Sequence, residues 1–157
     1  MADEYLQLDI LTPDGRVDLR VGEGGSKGSA ASKELGPIEV EGVELPAALG
    51  EMGVRPGHVP FLTPVVPGVV RFRHGGEDRR LAVGAGFLEV SEAGSVTILT
   101  ERAVRSWEVE LDAVNEQHAS VVEELAQHAS ASLDDAQVLK LQARRAWLDA
   151  QLRARQA

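Results

Sequence analysis

Residues 50–70 read GEMGVRPGHVPFLTPVVPGVV. Residues 50–68 hold four glycines and four prolines, with apolar residues filling most of the gaps. A disordered linker has no use for Phe61, Leu62, Val65 and Val66. A central strand excludes prolines at this density, because each removes a ladder donor. The stretch therefore reads as a rigid, punctuated, partly apolar loop. Pinned by Pro56, Pro60, Pro64 and Pro67, it has little entropy left to lose when a partner arrives.

Outward from this loop the punctuation divides the chain. All seven prolines lie at or before Pro67 and all sixteen glycines at or before Gly94, so the two strongest helix breakers are absent from the last third. Before that point the pattern alternates. Leu6, Leu8 and Ile10 fall at period two, as do Ile38 and Val40, then Val43 and Leu45. The run VVRFRHGGEDRRLAV (69–83) reads as strand, HGGED turn, strand, and FLEVSEAGSVTIL (87–99) repeats it around SEAGS. Short antiparallel hairpins at this spacing predict a β-sandwich or flattened barrel. Gly42 and Gly86 interrupt the alternation and read as bulges or bends. GEGGSKGSAASKELGP (22–37) has almost nothing to bury and reads as a flexible loop inserted between the first two strands.

After the last glycine the period changes. Leu111, Val114, Val121, Val122 and Leu125 recur at helical spacing. HASASLDD then supplies a turn, with Ser132 as the N-cap and Asp135 three residues on. A second helix runs from Leu133 to the last few residues. Each helix is about 30 Å long and the connection is short, so they form an antiparallel hairpin. The fold class is α+β: a β-sandwich over 1–105, with its 22–37 loop, then a helical hairpin over 106–157.

Two patterns mark the hairpin. From Ser106 to Leu133 there are six acidic residues and no Lys or Arg; from Asp134 onward there are three acidic and five basic. An acidic helix beside a basic one suggests a pair held by soft, salt-sensitive charge, able to open. The second helix carries two apolar stripes, Leu139/Ala143/Trp147/Ala150/Ala154 and, nearly opposite, Val138/Leu141/Leu148/Leu152. Two stripes imply two partners: the first helix, and either the β-domain or another protein.

Composition narrows the function. A net charge of −9 repels phosphate backbones and anionic lipid, so neither nucleic acid nor a membrane surface is the expected partner. The absence of cysteine excludes disulfides and thiolate metal sites. MADEYLQLDI lacks the basic and apolar regions of a signal peptide, and no apolar run approaches the ~18 residues that span a bilayer. GEGGSKGS lacks the spacing of a phosphate cradle. His58, His74, His118 and His128 form no metal-ligand pattern, and no serine or carboxylate sits in a recognisable catalytic setting. No cofactor and no catalytic residue is expected.

Against that background the opening stretch resembles the epsilon subunit of F-type ATP synthase. The family shows Gly-Glu-apolar-Gly-apolar-x-Pro-Gly-His-x-Pro-apolar-Leu-Thr, matched here by GEMGVRPGHVPFLT. AVGAGFLEVSEAGSVTILTERAV (82–104) resembles its next block and LQLDILTPDG (6–15) its first strand, while the C-terminal hairpin fits in position and length. The resemblance implies a non-catalytic rotor subunit of the central stalk. Such a subunit binds gamma, rests on the c-ring and helps couple proton flow to ATP synthesis. Its expected place is peripheral, on the cytoplasmic face of the bacterial inner membrane. A hairpin that unfolds upward would reach the alpha and beta catalytic subunits and inhibit ATP hydrolysis.

The resemblance also implies site residues. Glu51, Met52, Val54, Arg55 and His58 would meet the c-ring. One stripe of the second helix would pack on the first, and Val138, Leu141, Leu148 and Leu152 are the set expected to face gamma. An ATP site between the helices would use Asp112, Arg144 and Arg145. However, the matching stretch LDAVNE places Asn115 and Glu116 where the family's ATP binders have Arg and Ala, so weak or no ATP binding is expected. Two alternatives stand beside this reading: an ATP-sensing regulator, and a β-sandwich protein-binding module with a regulatory hairpin.

Overall fold

The computed structural model describes residues 4–20, 36–130, 132 and 135–156. Eleven strands come first: β1 (Leu6–Thr12), β2 (Gly15–Arg16), β3 (Ile38–Val40), β4 (Val43–Ala47), β5 (Gly50–Val54), β6 (Phe61–Val65), β7 (Gly68–His74), β8 (Glu77–Val83), β9 (Gly86–Val90), β10 (Ser95–Thr100) and β11 (Ala103–Arg105). A 3₁₀ turn (Ser106–Glu108) leads to α1 (Leu111–Gln127) and α2 (Ala136–Gln156). The expected loop at 22–37 falls almost wholly outside the described residues.

The strands join in one hydrogen-bonded path, β11-β8-β7-β4-β6-β9-β10-β1-β2, with β3 on β1 and β5 on β4. The path folds back on itself at β4. Val70, Phe72, Leu81 and Val83 from one layer then meet Leu8, Ile10, Leu88 and Ile98 from the other in a single buried core. This is the β-sandwich with a C-terminal helical hairpin that the alternation and the change of period predict. One pairing departs from the antiparallel pattern: β1 lies parallel to β10, with Leu8 opposite Val96 and Ile10 opposite Ile98.

The opening stretch is more strand than loop. β5 and β6 both lie within it, and only residues 55–60 connect them. The prolines fit because β6 scarcely pairs on one side. Its bridge to β4 is Ala47 to Val65 alone, and the Pro64 carbonyl accepts from Ala48 at 3.2 Å on that side. The Pro64 nitrogen points the same way, so its missing hydrogen ends this short bridge and leaves the β6–β9 ladder intact. Gly86 is also not a bulge. It sits in register between Val65 and Thr100. A Cβ there would lie 1.8 Å from the Leu99 carbonyl oxygen, so the neighbouring backbone's close approach demands glycine.

In the hairpin, α2 is capped by Asp135, whose Oδ1 accepts from the backbone of Gln137 at 2.8 Å. Asp135 takes the cap from Ser132 because its carboxylate, three residues further on, reaches the free N–H groups of the first turn. The helices meet through Val114 and Val121 on α1 and Leu141 and Leu148 on α2. His118 Nε2 also lies 2.7 Å from Asp149 Oδ1 across the pair. Apolar burial therefore carries the interface, and opposite charge has a smaller share than the sequence suggests.

Candidate functional site: partner-binding surfaces

The residues expected at the c-ring lie along β5 and the turn after it without forming one cluster. Pro56 and Gly57 (φ +84°) make the turn that brings the His58 amide to the Arg55 carbonyl at 3.0 Å. Proline at the first central position and a positive φ at the second are what a type II turn requires. His58 Nδ1 lies 2.7 Å from the Val59 carbonyl, and its ring stands edge-on to Phe61 with centroids 6.2 Å apart. Arg55 is exposed on the same turn. Glu51 lies four residues back, exposed and turned to Arg71 at 3.4 Å. Met52 packs against the core, and Val54 is fully buried in it, so both support this edge from within. Val59 and Leu62, each 68% exposed, give the edge an apolar rim.

The α2 stripes divide unequally. Val138, Leu141 and Leu148 are buried and Leu152 is half-buried, the last three packing with α1. In this closed conformation the set expected to face gamma is occupied by the chain's own first helix. The opposite stripe meets the sandwich: Trp147, Ala150 and Ala154 lie on Val69 and Ala82. Leu139 and Ala143 continue that stripe but remain exposed.

The ATP set is not brought together. His118 faces Asp149, and the helices run antiparallel. Asp112 lies six residues from His118, and Arg145 lies four from Asp149 in the opposite axial sense. Asp112 and Arg145 are therefore about 15 Å apart along the hairpin. Asp112, Arg144 and Arg145 are all exposed.

One surface escapes the sequence reading. On the outer face of the helix-free layer, Pro64 lies opposite Phe87, Phe87 opposite Leu99, and Leu99 opposite Leu11. These residues form a straight apolar row across β6, β9, β10 and β1. Phe87 is 55% exposed and Leu99 51%. The row is flanked by Asp9, buried beneath a two-pronged contact from Arg16 at 2.8 and 2.9 Å. The signal was present in the alternation: Phe87 and Leu99 sit at the solvent parity of strands whose other parity fills the core. An apolar row rimmed by charge is what a protein interface needs.

Among the described residues no group of three or more His, Cys, Asp or Glu could hold a metal ion. The cleft beside β5 and β7, about 410 Å³, is lined by arginines and carboxylates. Arg73 pairs there with Glu41 and Asp78 at 3.5 and 3.4 Å.

Comparison with known proteins gives a consistent answer. A family model described as the ATP synthase delta/epsilon chain β-sandwich domain matches residues 31–106. The ATP synthase epsilon chain of Bacillus pumilus (strain SAFR-032) is 36% identical over 107 residues, covering 68% of this chain and 67% of that one. Among solved structures, a chain of the Euglena gracilis mitochondrial ATP synthase, in a structure of OSCP, F1 and c-ring, superposes with a TM-score of 0.74 at 19% identity. That superposition covers 98% of this chain and 82% of the other. A chain from the central stalk and c-ring structure of the Tetrahymena thermophila mitochondrial ATP synthase gives 0.59 at 11% identity, covering 99% of both.

Proposed function

This chain belongs to the ATP synthase epsilon family, and we propose that it serves as a non-catalytic subunit of the central stalk, binding gamma through its helix-free sheet face and the c-ring through the 55–60 edge. The observation that carries this reading is the uncovered row of Leu11, Leu99, Phe87 and Pro64. Four adjacent strands present apolar side chains to solvent in a chain whose other sheet face is covered by its own helix. Exposed apolar area of this kind is costly in an isolated protein and is stabilised by a partner. A rigid sandwich held between a shaft and a ring passes rotation from one to the other without deforming. The proline-pinned turn holds Arg55 and His58 ready for the ring.

The hairpin adds regulation to this role. When α1 and α2 separate, Val138, Leu141, Leu148 and Leu152 become available to gamma. The extended helices then reach the alpha and beta catalytic subunits and restrain ATP hydrolysis. Among the described residues no helix is long and apolar enough to cross a membrane. The chain's place is peripheral to the membrane complex, on the cytoplasmic face of the bacterial inner membrane. Scattered Asp112, Arg144 and Arg145 favour a stalk role over ATP sensing.

Calorimetric titration of the full chain into the gamma subunit of the same organism tests the proposal. One-to-one binding that weakens about thirty-fold in Phe87→Ser is the expected result, since one central aromatic commonly carries ~2 kcal/mol of an interface. A folded gamma that binds neither protein overturns it and leaves a sandwich module with a different partner.

A further inference from the structure

The hairpin is not held evenly. α1 packs on α2, and α2 in turn packs on β7 and β8. Only the C-terminal half of α2 reaches the sheet. Ala150 and Ala154 are completely buried there, and side chains this small let the helix backbone come close to Val69 and Ala82. Leu139, on the same stripe, is 51% exposed and overhangs. Two arginines grip the docked half. Arg102, in the turn between β10 and β11, places its guanidinium 4.7 Å from the Trp147 ring centre. Arg80, on the outer face of β8, donates from Nε to the carbonyl of Ala154. That carbonyl is one of the last four of α2, which lack partners within the helix and carry its negative dipole end.

We infer that Arg80 and Arg102 form a clasp that sets how much of the time α2 stays docked on the sandwich, with Arg80 serving as an external C-cap. Both are positioning residues: they act on the hairpin's equilibrium and on nothing bound to it. The inference rests on the proposed stalk role only for what a released hairpin does, since docking itself is a property of the free chain. The clasp accounts for a mismatch in the interface. Two alanines and one tryptophan bury little area for a helix of 21 residues, so directed polar contacts carry weight here that side-chain volume would carry elsewhere. It also gives release a direction. α1 and the first half of α2 already overhang, so undocking is completed only when the last turn of α2 leaves Arg80.

Hydrogen exchange by mass spectrometry on the full chain, with no partner added, tests this. Arg80→Gln removes the charge-assisted cap, and exchange across residues 147–156 is expected to rise about ten-fold. Arg102→Met keeps the length of the side chain, loses the cation–π contact, and is expected to give about three-fold. Arg80→Lys restores a cationic donor and is expected to recover part of the protection, and Leu139→Ser is expected to change nothing. Exchange across residues 86–100 reports whether the sandwich stays folded. Unchanged protection at 147–156 in both arginine variants, with 86–100 intact, overturns the clasp. An equal acceleration in Leu139→Ser also overturns it, because packing in general would then be the cause. If Arg80→Gln loosens 86–100 as well, Arg102→Met alone decides. Failure of the gamma titration leaves this outcome untouched, which separates the two proposals.

Discussion

The two outer faces of the sandwich solve the same problem in opposite ways. The β7/β8 face presents Val69 and Ala82 and is covered by Trp147, Ala150 and Ala154 of the chain's own helix, with Arg80 and Arg102 at its margins. The β6/β9/β10/β1 face presents Phe87 and Leu99, and no described part of the chain covers it. Small residues with charged clasps suit a cover that comes off. Large apolar residues in register suit a partner that stays. The difference separates a face built for the chain's own helix from a face left to solvent.

The comparison can be broken at its frame. Gly86→Val drives a side chain into the Leu99 backbone. It should cost more than about 4 kcal/mol, since no rotamer relieves a backbone clash. Both faces would be lost together, read as collapse of the urea midpoint. A variant that unfolds near the parent midpoint would show that β9 and β10 are not the shared support. Leu148→Ala acts on the covered side alone. Leu148 is 2% exposed between the helices, and its truncation should destabilise the hairpin by about 2–3 kcal/mol. Exchange in α1 and α2 should accelerate while binding to gamma by the bare face holds constant.

Phe87→Ser and Leu99→Ser sharpen the other side. Each should weaken gamma binding by about 2 kcal/mol while costing stability well under that, about 1 kcal/mol or less, because roughly half of each side chain is already in water. A stability loss as large as the binding loss would mean that the row holds the fold and not a partner. The smallest effect belongs to the edge. Glu51→Gln removes an exposed 3.4 Å contact to Arg71, worth at most about 0.5 kcal/mol to folding. It serves as the stability control for a c-ring binding assay, in which binding should weaken.

Much of this was legible in the sequence because side-chain parity is a local property. Leu6, Leu8 and Ile10 announced β1, and HGGED announced the β7–β8 turn, where Gly75 and Gly76 take φ values of +58° and +80°. What stayed hidden depends on neighbours distant in sequence. Gly86 looked like a bend until the Leu99 backbone beside it was known. Pro64 argued against a strand until the single bridge from β6 to β4 explained it. The two stripes of α2 were visible, but no sequence rule told which would meet α1 and which the sheet. Asp135 displaced Ser132 as the cap of α2 because both types cap helices, and only geometry chooses between them. The row on the bare face needed three cross-strand registers before its members could be seen as one surface.

The parallel pairing of β1 with β10 has a consequence for how the chain is made. Residues 6–12 are made well before their flanking strand, which is encoded some ninety positions later. Until β10 emerges, β1 is a hydrophobic ribbon with an unfilled edge, open to pairing with the wrong chain. The helices follow all eleven strands in the chain, so the cover of the β7/β8 face is laid onto a sheet whose strands have already been made.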